Sequence, residues 1–161
     1  MCAGKTLAGR ALARALRRPF ADCDALLARR HGAPAGELIR RRGLGAFRRL
    51  EAALVGELAA QGGRVVALGG GFYPSGRRAA LLKRGGTAVF LSARWPELLA
   101  RLESNRRGRP LLGGPWERAA ARAEKLFKSR LPYYRRADIT VDVSGLTPRQ
   151  AAARVKKALN L

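Results

Sequence analysis

The chain opens on the second half of a phosphate-binding loop (P-loop). Gly4-Lys5-Thr6 matches the end of the pattern G-x-x-x-x-G-K-[ST], and the apolar positions after it predict a helix over 5–17. In a complete loop, backbone N–H groups surround a phosphate, the lysine reaches the β- and γ-phosphates, and the hydroxyl ligates Mg²⁺. The first glycine of the pattern would lie two positions before Met1. We therefore expect the strand that delivers the loop to be missing from this sequence.

After this helix, short apolar runs alternate with amphipathic segments. The apolar runs predict strands at 20–21, 64–68, 87–91 and 137–143. The amphipathic segments predict helices at 24–31, 36–42, 45–61, 76–84, 96–104 and 116–130, and Thr147-Pro148 opens a last one. Such alternation is typical of an α/β fold with a buried parallel sheet. We predict a single domain over 1–161, because no linker or repeat interrupts it, with a mobile lid at about 105–130.

The chain is strongly basic. Lys+Arg number 33 and Asp+Glu 11, which gives a net charge of +22. Such an excess suggests a polyanionic partner. The arginines are spread along a chain that is also rich in Ala, Gly and Leu, which a biased codon supply explains, so we do not expect nucleic acid to be the main partner. Two cysteines without metal spacing indicate a reduced, cytoplasmic protein, and no apolar run is long enough to enter a membrane.

Two acids follow the strand at 20–21. Asp22 and Asp24 lie at its carboxyl end, where open α/β sheets bind their ligands. One carboxylate can hold a water of Mg²⁺, and the other can accept a hydrogen bond from a substrate hydroxyl. The residues alone leave a second interpretation open, in which one aspartate caps a helix and the other is a surface acid.

Arginines and glycines further along the chain have the chemistry of an anion site. Arg48 and Glu51 are three residues apart on a helix and can pair, and an arginine fixed in this way can grip a carboxylate. A solvated basic face is the alternative. Gly69-Gly70-Gly71 follows a strand and lets backbone N–H groups approach a ligand closely, although a flexible turn has the same composition. Arg109 and Arg130 lie in the predicted lid, where they can close over ligands and exclude water.

Six motifs, in this order and spacing, resemble those of shikimate kinases. They are Gly4-Lys5-Thr6-x-x-Gly9-Arg10, Asp22-x-Asp24, Phe47-Arg48-Arg49-x-Glu51, Leu68-Gly69-Gly70-Gly71, Arg109-Pro110-Leu111-Leu112 and Arg130-x-Pro132-x-Tyr134. Shikimate kinases transfer the γ-phosphoryl group of ATP to the 3-hydroxyl of shikimate, on the pathway to aromatic amino acids. The resemblance implies a three-layer P-loop kinase fold and a cytoplasmic monomer that uses ATP and Mg²⁺.

The resemblance also implies a role for each motif. The ATP-binding residues would be Cys2, Ala3, Gly4, Lys5, Thr6, Leu7 and, from the lid, Arg109. Lys5 would stabilise the charge on the transferring group, and Thr6 and Asp22 would hold Mg²⁺. Asp24 would orient or deprotonate the attacking hydroxyl. The shikimate-binding residues would be Asp24, Arg48, Gly69, Gly70, Gly71 and Arg130.

This sequence departs from the family in several places. Leu44 stands where a glutamate is usual, and Cys23 stands where Thr or Ser is usual, which adds an oxidisable thiol near the site. In the family the first strand lies between those at 64–68 and 87–91, so its absence implies a gap of roughly 9–10 Å there. Each backbone group left buried without a partner would cost about 1–3 kcal/mol.

Two other hypotheses remain open. One is a related P-loop kinase that acts on another small hydroxy acid, such as gluconate. The other is a non-catalytic P-loop protein that binds nucleic acid through its positive charge. The pair of Arg48 and Arg130, together with the three glycines, favours shikimate over gluconate.

Overall fold

The helices and strands occur in the predicted order. The computed structural model describes residues 2–72, 76–105 and 113–161. The helices in these ranges are α1 (Lys5–Ala15), α2 (Cys23–His31), α3 (Ala35–Gln61), α4 (Gly76–Gly85), α5 (Trp95–Ser104), α6 (Trp116–Tyr134) and α7 (Pro148–Ala158). The strands are β1 (Phe20–Asp22), β2 (Val65–Ala67), β3 (Val89–Ser92) and β4 (Ile139–Asp142). Strands and helices alternate after α1, as expected for an α/β fold.

The four strands form two parallel pairs. β1 lies beside β2, with Phe20 opposite Val65, and β3 lies beside β4, with Val89 opposite Ile139. Among the described residues, β2 and β3 belong to different sheets. The interruption therefore falls at the position where the resemblance implies a gap.

Helices cover both faces of the strands and create two apolar cores. α1 and α7 pack together on one face, where Leu12 and Val155 are buried with Val141 of β4. α2 and α3 cover the other face, where Leu27 and Leu54 are buried. Successive residues of β2 supply both cores, because alternate side chains of a strand point to opposite faces. The described residues thus form the three layers of the predicted fold.

Two helices show how local sequence sets helix ends. α3 spans both predicted helices, 36–42 and 45–61, and changes direction at Gly43, which has φ 78° and ψ 156°. This backbone conformation strongly favours glycine, so the predicted break at Gly43 is confirmed. α6 instead continues to Tyr134, and the predicted end at 130 was wrong. The helix continues past Pro132, and Arg135 N–H donates to the Leu131 carbonyl at 3.0 Å.

β2 and β3 are less buried than the sequence predicts. Their apolar runs are typical of central parallel strands, which are covered on both faces and paired along both edges. All four residues of β3 and two of the three in β2 nevertheless keep part of their surface exposed. The reason is that each strand is paired along one edge only, and its other edge borders a cavity.

The last helix begins with the predicted cap. Thr147 Oγ1 accepts a hydrogen bond from Gln150 N–H at 3.3 Å, and Gln150 Oε1 accepts one from Thr147 N–H at 2.9 Å. This reciprocal pair is a capping box, with Pro148 at the first helical position. Across residues 2–72, 76–105 and 113–161, none of the helices has both the length and the apolar character needed to cross a membrane.

Removing this cap should loosen α7 measurably. Thr147→Ala is expected to lower the free energy of unfolding by about 1 kcal/mol, because it removes the acceptor for a backbone N–H at the helix start. Urea unfolding followed by far-UV circular dichroism measures the change. Thr147→Ser keeps the hydroxyl and should stay close to the unmodified chain, whereas an alanine variant with an unchanged midpoint would contradict the prediction.

Candidate active site

The start of α1 supplies backbone donors for an anion. Gly4 precedes the helix in the left-handed region, with φ 79° and ψ 20°, and Lys5 is the first helical residue. Gly4 offers α1 no side-chain cap, and the first turn of the helix carries no acid that would offset the positive end of its dipole. Ala3 is buried before them, Cys2 is half-buried, and Leu7 is 58% exposed.

Asp22 joins this helix start to the end of β1. Thr6 Oγ1 donates a hydrogen bond to Asp22 Oδ2 at 2.6 Å, and Asp22 Oδ1 accepts one from Ala25 N–H at 3.1 Å. The aspartate therefore caps α2, as the second interpretation predicted, and its other oxygen lies beside the threonine of the P-loop pattern. A hydroxyl and a carboxylate are the hard oxygen donors that suit Mg²⁺, an ion that keeps several waters and needs few protein ligands. The part of the chain that the structure describes holds no cluster of three or more His, Cys, Asp or Glu residues around one point.

Cys23 is an inert residue rather than a reactive one. Its side chain is 1% exposed within the core formed by α2 and α3. Burial, reinforced by the carboxylates of Asp24, Asp22 and Glu51, raises the pKa of the Cys23 thiol to about 12. The expectation of an oxidisable thiol at this position was therefore wrong, because a thiol in an apolar environment beside carboxylates stays protonated and shielded.

The two cysteines should differ sharply in reactivity. At pH 8 a thiol with the pKa of Cys23, about 12, is ionised to only about one part in 10⁴, and it is also inaccessible. We expect iodoacetamide to label Cys2 in the folded protein and to leave Cys23 unmodified, with both labelled in denaturant. Peptide mass spectrometry over a time course measures the two rates. Equal rates in the folded state would contradict the buried position of Cys23.

Three side chains crowd one side of Gly69-Gly70-Gly71. A methyl group on Gly69 would lie 2.5 Å from Glu51 Oε1 and 3.0 Å from Asp24 Oδ1. One on Gly71 would overlap the Arg48 guanidinium. A side chain at Gly69 or Gly71 would have to displace these charged groups, so the glycines let the groups approach the loop closely. Asp24, predicted to bind the substrate hydroxyl, thus lies beside the glycines predicted to line the same pocket.

Arg48 and Glu51 form the predicted pair, and Glu51 lies deeper than expected. The Arg48 guanidinium donates to the Glu51 carboxylate, whose side chain is 1% exposed, while Arg48 itself is 22% exposed. Arg48 also lies over the ring of Phe47, with 5.5 Å from its guanidinium carbon to the ring centre. A buried acid on one side and an aromatic ring on another fix the guanidinium. The remaining donors of the guanidinium are therefore held in one orientation.

Residues of α6 approach the same glycines from another direction. The Tyr134 hydroxyl donates to the Gly70 carbonyl. A methyl group on Gly70 would lie 3.7 Å from that hydroxyl and 3.8 Å from Arg130 Nη1. The Tyr134 ring packs on Phe90 of β3, with 5.4 Å between ring centres, and burial raises its pKa, which keeps the phenol a donor. Arg130 and Arg48 thus lie beside adjacent glycines of one short loop.

Tyr134 belongs to one of the six motifs, but no role was predicted for its side chain from the sequence. Its position was detectable, because Tyr134 follows Arg130 by four residues and therefore lies on the same face of α6. The contact with Gly70 could not be predicted, since the two residues are 64 positions apart.

Comparison with known proteins identifies the family. The family model for shikimate kinase matches residues 1–160. The chain belongs to the shikimate kinase family. It is 37% identical to the shikimate kinase of Moorella thermoacetica over 159 residues, which cover 99% of this chain and 90% of that protein. It is 35% identical to that of Caldanaerobacter subterraneus over 158 residues, which cover 98% of this chain and 91% of that protein.

Solved shikimate kinases have the same fold. The enzyme from Bacteroides thetaiotaomicron superposes with a TM-score of 0.91 at 30% identity, over 100% of this chain and 94% of that one. The enzyme from Acinetobacter baumannii, solved in complex with shikimate, gives 0.89 at 31% identity, over 98% of this chain and 88% of that one.

Family membership decides among the three hypotheses of the sequence. Shikimate kinases are phosphotransferases that act on shikimate, so the findings support the first hypothesis over a gluconate kinase or a non-catalytic nucleic-acid-binding protein. One predicted residue of the shikimate kinase site, Arg109, belongs to residues 106–112, which lie outside the described ranges.

Proposed function

We propose that this chain transfers the γ-phosphoryl group of MgATP to the 3-hydroxyl of shikimate. The proposal rests on one observation: two sets of functional residues lie at the same ends of the parallel strands. The first set supplies a lysine and two oxygen donors and consists of Lys5, Thr6 and Asp22. The second set lies around Gly69-Gly70-Gly71 and consists of Asp24, Arg48 and Arg130. The first set suits phosphates and Mg²⁺, and the second suits a hydroxylated carboxylate.

The nucleotide would lie against the start of α1. In this proposal the backbone from Cys2 to Leu7 surrounds the phosphates, Lys5 neutralises charge that develops on the transferred group, and Arg109 reaches over the nucleotide. Thr6 and Asp22 would hold Mg²⁺. When bound, Mg²⁺ offsets the negative charge shared by the phosphates. The 2.6 Å hydrogen bond between Thr6 and Asp22 supports this assignment, since it holds both oxygens at one place.

Shikimate would lie over the three glycines. Arg48 and Arg130 bind its carboxylate, and Asp24 accepts hydrogen bonds from its hydroxyls, orients the attacking one and receives its proton. Because the glycines carry no side chains, Asp24, Arg48 and Arg130 can lie close to the loop that the ring would cover. Catalysis then rests on positioning and on charge neutralisation, as it does generally in phosphoryl transfer.

The proposal is tested by ADP release. Release should require both ATP and shikimate, saturate with shikimate, and give a product that ³¹P NMR assigns to the 3-hydroxyl. Gluconate is the matched control, because it also carries a carboxylate and several hydroxyls. Faster turnover of gluconate, or ATP hydrolysis that shikimate does not change, would overturn the proposal.

The proposal also includes a cytoplasmic monomer. Two free cysteines, one of them buried, fit a reducing compartment. Among the described residues, those predicted to bind ATP and those around the glycine loop contact one another within one chain. Sedimentation at micromolar concentration should give the mass of one chain, and a stable dimer would contradict this part of the proposal.

Tyr134→Phe is expected to weaken shikimate binding more than it slows chemistry. The variant keeps the ring on Phe90 and removes only the hydroxyl that holds the Gly70 carbonyl. We expect KM for shikimate to rise about three- to tenfold, the effect of losing one hydrogen bond of about 1 kcal/mol, with kcat within twofold. Steady-state kinetics measures both constants. Tyr133→Phe, at an exposed neighbouring position, is the control.

A further inference from the structure

α1 and α7 form a layer whose charged side chains are all basic. The two helices pack side by side over the strands, where Leu12 and Val155 share one apolar core. Neither helix contains an aspartate or a glutamate, and the longer segments 1–21 and 143–161 contain none either. Six exposed cations of this layer form what we call the basic face; they are Arg10, Arg14, Arg17, Arg18, Arg149 and Lys157.

The helices α2, α3, α5 and α6 have a different charge pattern. Each of them carries an acid in its first turn. Their acids also pair with cations of the same helix or of a neighbour, as Glu57 does with Arg30 and Glu124 with Lys128. The positive charge is therefore partly neutralised on these helices and not on α1 and α7. A codon supply that favours arginine raises the number of cations but does not explain why one layer lacks acids.

Helix dipoles account for only part of the basic face. Cations are favourable in the last turn of a helix, where α1 has Arg14 and α7 has Lys157. Arg149, in contrast, lies in the first turn of α7, where positive charge is unfavourable, and Arg10 lies in the middle of α1. Cations that share one surface also repel one another. A face of this kind indicates a partner that carries many negative charges.

The side chains of this layer distinguish among polyanions. A bilayer surface holds a helix through apolar side chains that point away from the protein, and Leu7 is the one large apolar residue exposed on α1 and α7, both of which are described throughout. Single-stranded nucleic acids bind largely by stacking their bases on aromatic rings, and neither helix contains an aromatic residue. Duplex DNA needs neither feature, because it presents about one phosphate charge per 1.7 Å of its axis.

We propose that the basic face binds duplex DNA through its phosphates, without regard to base sequence. Arg10 and Arg14 lie one turn apart, about 6 Å along α1, so their side chains can contact successive phosphates of one strand. Guanidinium groups suit this task, because their N–H donors form two parallel hydrogen bonds with phosphate oxygens. DNA is an additional partner here, and its binding does not depend on the kinase activity.

The salt dependence of binding tests the proposal. Fluorescence anisotropy measures the affinity of the full chain for a labelled duplex of mixed sequence, about 20 base pairs or two helical turns long. With about five of the six cations on phosphates, a plot of log K against log salt should have a slope of about −4.5. Affinity should therefore fall roughly 500-fold between 50 and 200 mM NaCl. A slope shallower than about −2 would overturn the proposal.

Matched variants locate the binding surface. Arg14→Gln with Lys157→Gln removes one cation from each helix, and it should weaken binding about 10–100-fold at 100 mM NaCl and make the slope shallower by about 2. Arg29→Gln with Arg42→Gln removes the same charge from exposed positions of α2 and α3, and it should leave the slope unchanged. Glutamine is a good helix former, and circular dichroism checks that both variants are folded. Equal changes in slope would show that net charge rather than the basic face binds the DNA, which would overturn the proposal.

Three competitors exclude other sites and partners. MgATP at constant ionic strength should leave DNA binding unchanged, and displacement would place the DNA at the start of α1 and overturn the proposal. The single strand of the same length should bind more weakly, and tighter binding would also overturn it. Vesicles rich in anionic lipid should not displace the duplex at 100 mM NaCl; if they do, a membrane surface is the partner instead. DNA binding without shikimate-dependent ADP release would contradict the proposed function and leave this proposal standing.

Discussion

Lys5→Ala is expected to lower kcat for shikimate phosphorylation by about 10²–10³-fold, the usual effect of removing one group that stabilises developing charge. Lys5 opens α1 directly after the left-handed Gly4, so it lies in the first turn, at the positive end of the helix dipole. Alanine is a good helix former, and we therefore expect the free energy of unfolding to change by less than about 1 kcal/mol. Steady-state kinetics and urea unfolding of the same preparation measure the two effects.

Two further variants separate charge from geometry at Lys5. Lys5→Arg keeps the positive charge but replaces a compact ammonium by a planar fork, so we expect ATP binding to recover further than kcat does. Lys157→Ala removes an exposed lysine of α7 and should leave both constants unchanged. A kcat for Lys5→Ala within threefold of the unmodified chain would contradict a role for Lys5 in the transfer step.

Local sequence predicted much of this fold, because several elements are set by residues only a few positions apart. Gly43 breaks α3 since its backbone lies in the left-handed region, and Thr147 caps α7 through Gln150, three residues on. The pairing of Arg48 with Glu51 follows from the same helical spacing. The order of six short motifs then gave the family and its expected site.

Contacts between segments that are distant in sequence could not be predicted from the sequence alone. The bond from Tyr134 to Gly70 joins α6 to the loop after β2, and neither residue type specifies the other. Cys23 was expected to add an oxidisable thiol near the site, yet the packing of α2 on α3 buries it, and burial raises the pKa of the thiol. The apolar runs of β2 and β3 predicted strands covered on both faces and paired along both edges, and only the family resemblance implied the gap that leaves them partly exposed. Burial depends on which elements meet, and that is a property of the whole chain.

Glu51→Ala is expected to lower the free energy of unfolding by about 3–5 kcal/mol, the usual cost of removing one partner of a buried ion pair. The Glu51 side chain is 1% exposed, and its loss would leave the Arg48 guanidinium partly buried without its carboxylate. Domains of this size are stabilised by only about 5–15 kcal/mol, so a large fall in Tm should accompany the change. KM for shikimate should rise as well, because Arg48 would lose the group that orients it.

The same helix supplies a matched control for Glu51. Glu57 also pairs with an arginine, Arg30, at 2.8 Å, but both side chains are about half exposed. Water screens this pair, and Glu57→Ala should cost only about 0–1 kcal/mol. Urea unfolding of the two variants side by side therefore compares the same substitution in the same helix at two depths. Equal losses would show that burial of Glu51 is not what makes its pair with Arg48 important for stability.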